Sequence, residues 1–339
     1  MNVKIFIRST AFLLLANLTI LANLNNNFPQ DTNKKSTTTG KPPSSVKEKP
    51  ATQGTPSKSK QSTIIRPGNK GTINKNQNPF QAKGTTDPNK AKAQEFVNSG
   101  SRKGSQGDYQ GAIDDYSKSL SILKDGNTYM KRALAYQMMD NYTLAVEDMN
   151  EAVKLLPSSA KAYFNRGVYL YEMNAFNKAE VDLKRTIELD STSKDAFNYL
   201  AAIKFRENNF TGALENYNNV IRLDSNYKEA YTNRGMIRHH LQDYKGAVED
   251  YNKALKLDPY NPTAYNNRGA AKMTLQDYKS AITDFDAALQ LKDDYADAYG
   301  NRGDAKLKTG DTTGACEDWQ KAYSLGLEKS KEMIMKYCK

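Results

Sequence analysis

Few side chains in this sequence have the type and spacing that chemistry needs. His239 and His240 are its two histidines. Adjacent residues on a helix point about 100° apart, so the pair is poorly placed to share one metal ion. No third ligand follows at a useful spacing, and metal binding is not expected. Gly100, Gly104 and Gly107 look like a phosphate loop, yet no G-K-S/T follows them. Two cysteines, Cys316 and Cys338, are too few for a zinc ribbon or a disulfide framework. Asn141-Tyr142-Thr143 and Asn209-Phe210-Thr211 are N-x-T sequons, of use only in a eukaryotic secretory pathway. No catalytic set emerges. The expectation is a non-enzyme without cofactor or metal.

What does recur is a pattern of Arg, Asp and Asn, and a repeated element must position it. An alanine inside a D/N-aromatic-x-x-A motif stands at Ala112, Ala145, Ala179, Ala213, Ala247, Ala281 and Ala315. The first interval is 33 residues and the other five are 34. Each unit has two helical stretches. In the fifth, Tyr231 and Gly235 open the first stretch, Ala247 and Tyr251 lie in the second, and Pro259 ends it. Tyr265, Gly269, Ala281 and Phe285 repeat this, as do Tyr299, Gly303, Ala315 and Trp319. The pattern resembles the tetratricopeptide (TPR) repeat. The resemblance covers about residues 91–325, in seven units. It implies an all-α fold, a right-handed superhelical solenoid of helical hairpins. Gly and Ala recur where helices approach closely, and the aromatic residues fill the space between them. The second and fourth units carry Ala133 and Ala201 in place of the glycine.

Where the family pattern has Leu before the glycine, this chain has Arg132, Arg166, Arg234, Arg268 and Arg302. Sixteen residues on stand Asp148, Asp182, Asp250, Asp284 and Asp318. The fourth unit has Leu200 and Asn216, losing both partners together. In an antiparallel hairpin these positions lie at equal distance from the turn. An Arg–Asp pair is expected inside each of five hairpins, fixing its register. Pairing with the previous unit's Asp would leave Asp182 facing Leu200 and Arg234 facing Asn216.

A closing helix is expected at about residues 327–337, with Met333, Ile334 and Tyr337 on one face. It caps the array's last apolar surface. Cys316 lies ten residues before Gly326 and Cys338 twelve after it, so two antiparallel helices would place them opposite each other. A disulfide is expected, the other reading being two reduced thiols, one packed on Trp319. The run Ala315-Cys316-Glu317-Asp318-Trp319 with the late Cys338 also resembles the last unit of exported bacterial TPR proteins.

The TPR resemblance implies a concave surface lined by the first helices, which binds an extended peptide or a helix. One step before the Arg-Gly positions lie Asn98, Asn165, Asn233, Asn267 and Asn301, with Lys131 and Tyr199 in the second and fourth units. This resembles the asparagine ladder of the O-GlcNAc transferase TPR domain. An amide both donates and accepts, which suits capture of a peptide backbone. The other reading is a merely soluble residue on an exposed helix. Met130, Leu134, Phe164, Val168, Tyr171, Tyr199, Phe205, Met236 and His239 make the same face apolar in units two to five, a mark of partner sites. The Lys set of the chaperone-binding carboxylate clamp is missing, although Lys131 and Arg206 imitate part of it.

The chain has 339 residues and a net charge of +11. Residues 1–24 contribute +2, residues 25–90 contribute +9 (12 Lys/Arg against 3 Asp/Glu), and residues 91–339 are neutral at 35 of each. A basic face on the fold itself is therefore not expected, nor a nucleic-acid partner. Lys4, Arg8 and the apolar run Ala11–Ala22 read as an export signal or N-terminal anchor over 1–24. Residues 25–86, rich in Lys, Ser, Thr, Asn and Pro, read as a disordered basic linker. Seven repeats follow over 87–326 and a capping helix over 327–339. The expected function is an exported scaffold or adaptor for protein–protein interaction in the periplasm or cell envelope, or secreted. Two alternatives remain. One is a structural envelope protein whose linker binds anionic polymer or membrane. The other is a targeting or regulatory subunit of an enzyme complex. Partner identity and oligomeric state are not readable.

Overall fold

The computed structural model describes residues 87–339; the expected signal and linker lie outside them. Among the described residues there are fifteen α-helices and no strand. Fourteen form seven hairpins. The first is α1 (Pro88–Ser105) with α2 (Tyr109–Ile122), the second α3 (Gly126–Gln137) with α4 (Tyr142–Leu155), and the third α5 (Ala160–Glu172) with α6 (Phe176–Leu189). The fourth is α7 (Lys194–Arg206) with α8 (Phe210–Leu223), and the fifth α9 (Lys228–His240) with α10 (Tyr244–Leu257). The sixth is α11 (Pro262–Thr274) with α12 (Tyr278–Leu291), and the seventh α13 (Ala296–Lys308) with α14 (Thr312–Ser324). A last helix, α15 (Ser330–Tyr337), packs on α14. From the second unit on, each first helix packs on its own second helix and on the preceding one, and in the first unit Gly100 packs against Tyr116. The first helices of the fifth, sixth and seventh units also touch one another. The array is a helical solenoid.

The repeated motif explains its own geometry. Its leading Asp or Asn is the N-cap of each second helix: Asp108, Asn141, Asn209, Asp243, Asp277 and Asp311 accept the N–H three residues on. Such a cap contributes about 1 kcal/mol. Ala175 takes the place in the third unit and makes no side-chain cap. Just before the cap the chain turns through a left-handed residue in every unit: Gly107, Asp140, Asn174, Asn208, Gln242, Gln276 and Gly310. The motif's alanine is fully buried in all seven.

The glycine of each first helix marks a close crossing. A Cβ at Gly235 would stand 2.8 Å from Tyr251 Cε1, and one at Gly269 2.7 Å from Phe285 Cε1. Ala133 is tolerated in the second unit, where the corresponding second-helix residue is Met149, a flexible side chain rather than a ring.

The closing helix starts at Ser330, three residues later than the sequence suggests. Gly326 turns through positive φ and the Leu327 N–H bonds the Ala322 carbonyl, so residues 327–329 are spent on a turn. Leu327 packs against Gly300 of α13. Cys316 and Cys338 are joined, their Cα atoms 5.6 Å apart, and Tyr337 lies 5.8 Å from the Trp319 ring.

Candidate functional site

The Arg–Asp positions meet within each of five hairpins. Arg132 donates from Nε and Nη2 to the two oxygens of Asp148, at 2.8 and 2.6 Å. Arg166–Asp182, Arg234–Asp250, Arg268–Asp284 and Arg302–Asp318 repeat the two-pronged contact. The third prong goes elsewhere. Nη1 donates to the preceding unit's second helix, at Ser117, Asn150, Asn218, Asn252 and Asp286 in turn. Each guanidinium also lies over a tyrosine one turn earlier, 5.4 to 5.7 Å from the rings of Tyr129, Tyr163, Tyr231, Tyr265 and Tyr299. Further cations join from one turn later: Arg238 on Asp250, Lys272 on Asp284 and Lys306 on Asp318.

The sequence reading missed these additions. Their signal is the Arg-x-x-x-Arg/Lys spacing in the last three units. It also missed the first unit's version, in which Asp115 takes the hydroxyl of Ser99 and the ammonium of Lys103. In the fourth unit Leu200 is buried at 4% exposure, while Asn216 bonds back to the Gly212 carbonyl. An apolar cluster of Ala201, Ala213, Tyr217, Val220, Ala230 and Ile237 stands there instead.

The residues expected to bind peptide fall into three groups. Asn98 and Lys131 are exposed, bonded to Gln94 and Ser101. Phe164, Phe205, Asn233, Met236, Asn267 and Asn301 are half-buried and reach solvent. Met130, Leu134, Asn165, Val168, Tyr171 and Tyr199 are buried. The expectation that Tyr171 and Tyr199 are open anchors is therefore corrected. They are 4% and 2% exposed, edge to face at 5.1 Å, with Phe164 6.0 Å from Tyr199. Rings facing each other from α5 and α7 fill the seam between these helices. The asparagine row is partly tied to itself: Asn301 donates to Asn266 and Asn266 to Asn267, at 3.0 and 3.3 Å.

Two carboxylates on the same helices were not singled out. Glu172 ends α5 and Asp195 sits in the first turn of α7. Both are half-buried, and burial pushes both carboxyls up. Neither has a Lys or Arg three or four residues away, which was the available signal. His239 is half-buried and edge-on to Tyr244 at 5.0 Å, while His240 is exposed and stacked on Phe210 at 5.1 Å. Burial holds both below the ordinary imidazole range. Among the described residues no cluster of His, Cys, Asp and Glu is set to hold a metal ion. Among them, too, no helix is long and apolar enough to cross a membrane.

Comparison with known proteins agrees with this architecture. A family model described as "TPR repeat" matches residues 235–276, and one described as "Tetratricopeptide repeat" matches 130–193 and 266–325. Among solved structures, the chain is similar to the C-terminal part of a TPR repeat-containing protein from Cytophaga hutchinsonii. Identity is 18%, coverage 72% of this chain and 98% of that one, and the TM-score 0.57. A tetratricopeptide repeat protein from Parabacteroides merdae gives 15% identity, coverage of 72% and 98%, and a TM-score of 0.54. At these identities the likeness shows the fold. No curated protein matches significantly. The period of 34, the capped hairpins and the matching repeat models together make the chain a tetratricopeptide-repeat protein.

Proposed function

We propose that this protein is an interaction scaffold whose first-helix face, the concave groove of the solenoid, holds a peptide segment or helix of a partner protein. One observation carries the reading. Phe164, Phe205 and Met236, with Asn233, Asn267 and Asn301, reach solvent on successive first helices. Apolar contact and amide hydrogen bonding are thus repeated along one face, a combination that binds side chains and backbone together. The proposed setting is the periplasm or cell envelope, with secretion as the variant. The apolar run Ala11–Ala22 behind Lys4 and Arg8 supports it, as does the Cys316–Cys338 disulfide, a bond that persists in oxidising compartments.

The test places a photo-cross-linking amino acid at Asn267, on the first-helix face, or at Glu249, exposed on α10. A discrete adduct in cells from position 267 and none from 249 is the expected result. Adducts from 249 alone would move the site to the second-helix face and end this reading.

A further inference from the structure

The face of α14 that carries Trp319 and Ala322 is a seat for a helix. One unit earlier the same positions, Phe285 and Ala288, are covered by Ala305 and Ala298 of α13. On α14 the cover is α15, and Trp319 and Ala322 are 1% and 0% exposed. Yet α15 is a light cover. It has eight residues, too few to hold a helix alone. Its one buried side chain is Ser330, whose hydroxyl has no hydrogen-bond partner. Met333, Ile334 and Tyr337 are half-buried, and Met335 is 72% exposed.

The connection to α14 is at odds with its own sequence. Leu327, Glu328 and Lys329 are strong helix formers, yet they lie in a turn that Gly326 sets up at positive φ. A local preference that opposes the fold weakens its hold at that place. Straightened, residues 325–329 join α14 and α15 into one helix from Thr312 to Tyr337. In such a helix the Ser330 hydroxyl reaches a carbonyl one turn back, at Gly326. Cys316 lies eleven residues before Leu327, and Cys338 eleven after it. Two such helices, crossing antiparallel at Leu327 on a two-fold axis, set Cys316 of one copy opposite Cys338 of the other. The contacts of α15 with α14 are then remade between two copies instead of within one.

We infer that the seat on α14 is a docking surface for α15 of a second copy of this chain, reached when residues 325–329 straighten. The Cys316–Cys338 bond seals whichever cap, its own or the other copy's, is seated when the thiols oxidise. The structure itself displays this occupant's fit, because helix and seat are already matched at Tyr337 on Trp319 and in the register of the cysteines. The oxidant is a small disulfide or that of an oxidoreductase. One cysteine thiolate attacks it and releases a thiolate, and the second cysteine displaces the other. Two protein thiols and one RSSR thus give one protein disulfide and two RSH. The inference is independent of the first-helix groove.

Full chains carrying Cys316→Ser or Cys338→Ser are reduced, mixed in equal amounts at high concentration and oxidised with glutathione disulfide. Neither chain can close a bond within itself. The mixture is expected to give a covalent dimer joined Cys338 to Cys316, at least tenfold above the disulfide dimers of either variant alone, read by non-reducing electrophoresis and peptide mass mapping. Glu328→Pro separates exchange from chance coupling. Residue 328 is the second residue of the turn closed by the Ser330 N–H on the Leu327 carbonyl, a favoured place for proline at the loss of one N–H bond to Gly326. In the straightened helix the same proline is a breaker. Added to both single-cysteine chains, it is expected to remove the mixed dimer, and added to the wild type to leave the bond within one chain intact. Wild type reduced and reoxidised at rising concentration is expected to give a rising share of dimer held by two bonds. No excess of dimer in the mixture over each variant alone would overturn the inference, as would a mixed dimer indifferent to Glu328→Pro or a wild-type share independent of concentration. Coupling of Cys338 to Cys338 at the rate of the mixed dimer would seat the cap elsewhere on the second copy and overturn it too.

Discussion

Arg234 grips Asp250 with two donors and Asn218 of the preceding unit with the third, so removing it leaves a carboxylate 3% exposed with Arg238 as its remaining cation. Arg234→Ala is expected to destabilise by about 3 kcal/mol, as for other buried pairs that lose one partner. The double variant with Asp250→Ala should lie well short of the sum, with a coupling of about 1–3 kcal/mol in urea unfolding. Strict additivity would show that the contact does nothing for stability. Glu172 is the opposite case. Burial raises its pKa, so the folded chain holds this proton to higher pH than the unfolded chain does. Its favourable contribution is present below the ordinary carboxylate range and disappears as pH rises through the raised value. Glu172→Gln is therefore expected to exceed wild type in thermal stability at pH 7, with the gap shrinking at pH 4. A gap independent of pH would contradict this. The Arg–Asp pairs were legible because Leu200 and Asn216 depart together from the pattern. The third donor was not legible, because its acceptor changes from Ser to Asn to Asp along the array.

At the level of elements, the repeat announced its hairpins through the N-caps and the buried alanine, whereas the groove was only half readable. Periodicity says which way Tyr171 and Tyr199 point from their helices. It does not say whether solvent or the next helix lies there, and here the neighbouring ring does. The start of α15 was misplaced for a similar reason: Leu327 reads as helix but is used to fill the gap at Gly300. That short helix depends on its covalent tie. The bond closes a loop of 22 residues, a contribution of about 3 kcal/mol by loop entropy. Cys338→Ser is expected to accelerate amide exchange across 330–337 and to shift Trp319 fluorescence to the red, while α3 to α12 keep their protection. Unchanged exchange in α15 would show that packing alone holds it.

Over the whole molecule, net charge is unevenly distributed along the sequence. Residues 91–339 are neutral, and residues 25–90 carry nine net positive charges. Deleting residues 25–86 is expected to abolish retention on vesicles rich in anionic lipid at low salt, and to leave the melting temperature of the array unchanged. Retention that survives the deletion would place a basic surface on the repeats.

The third donor of each arginine has a mechanical side. It fastens a hairpin to the one before it, at the junctions of units one–two, two–three, four–five, five–six and six–seven. The third and fourth units lack the strap, because Leu200 stands where the arginine would be. The Lys204–Glu180 ion pair spans that junction, beside the Tyr171–Tyr199 ring contact and Arg206 over Phe176. A solenoid is a spring, and this one has uneven stiffness. Drawn out by its ends in an optical trap, it is expected to yield first between α6 and α7, and Leu200→Arg with Asn216→Asp should remove that early step. The compliant joint falls at the seam filled by Phe164, Tyr171 and Tyr199, so those rings are the first contacts that extension would part.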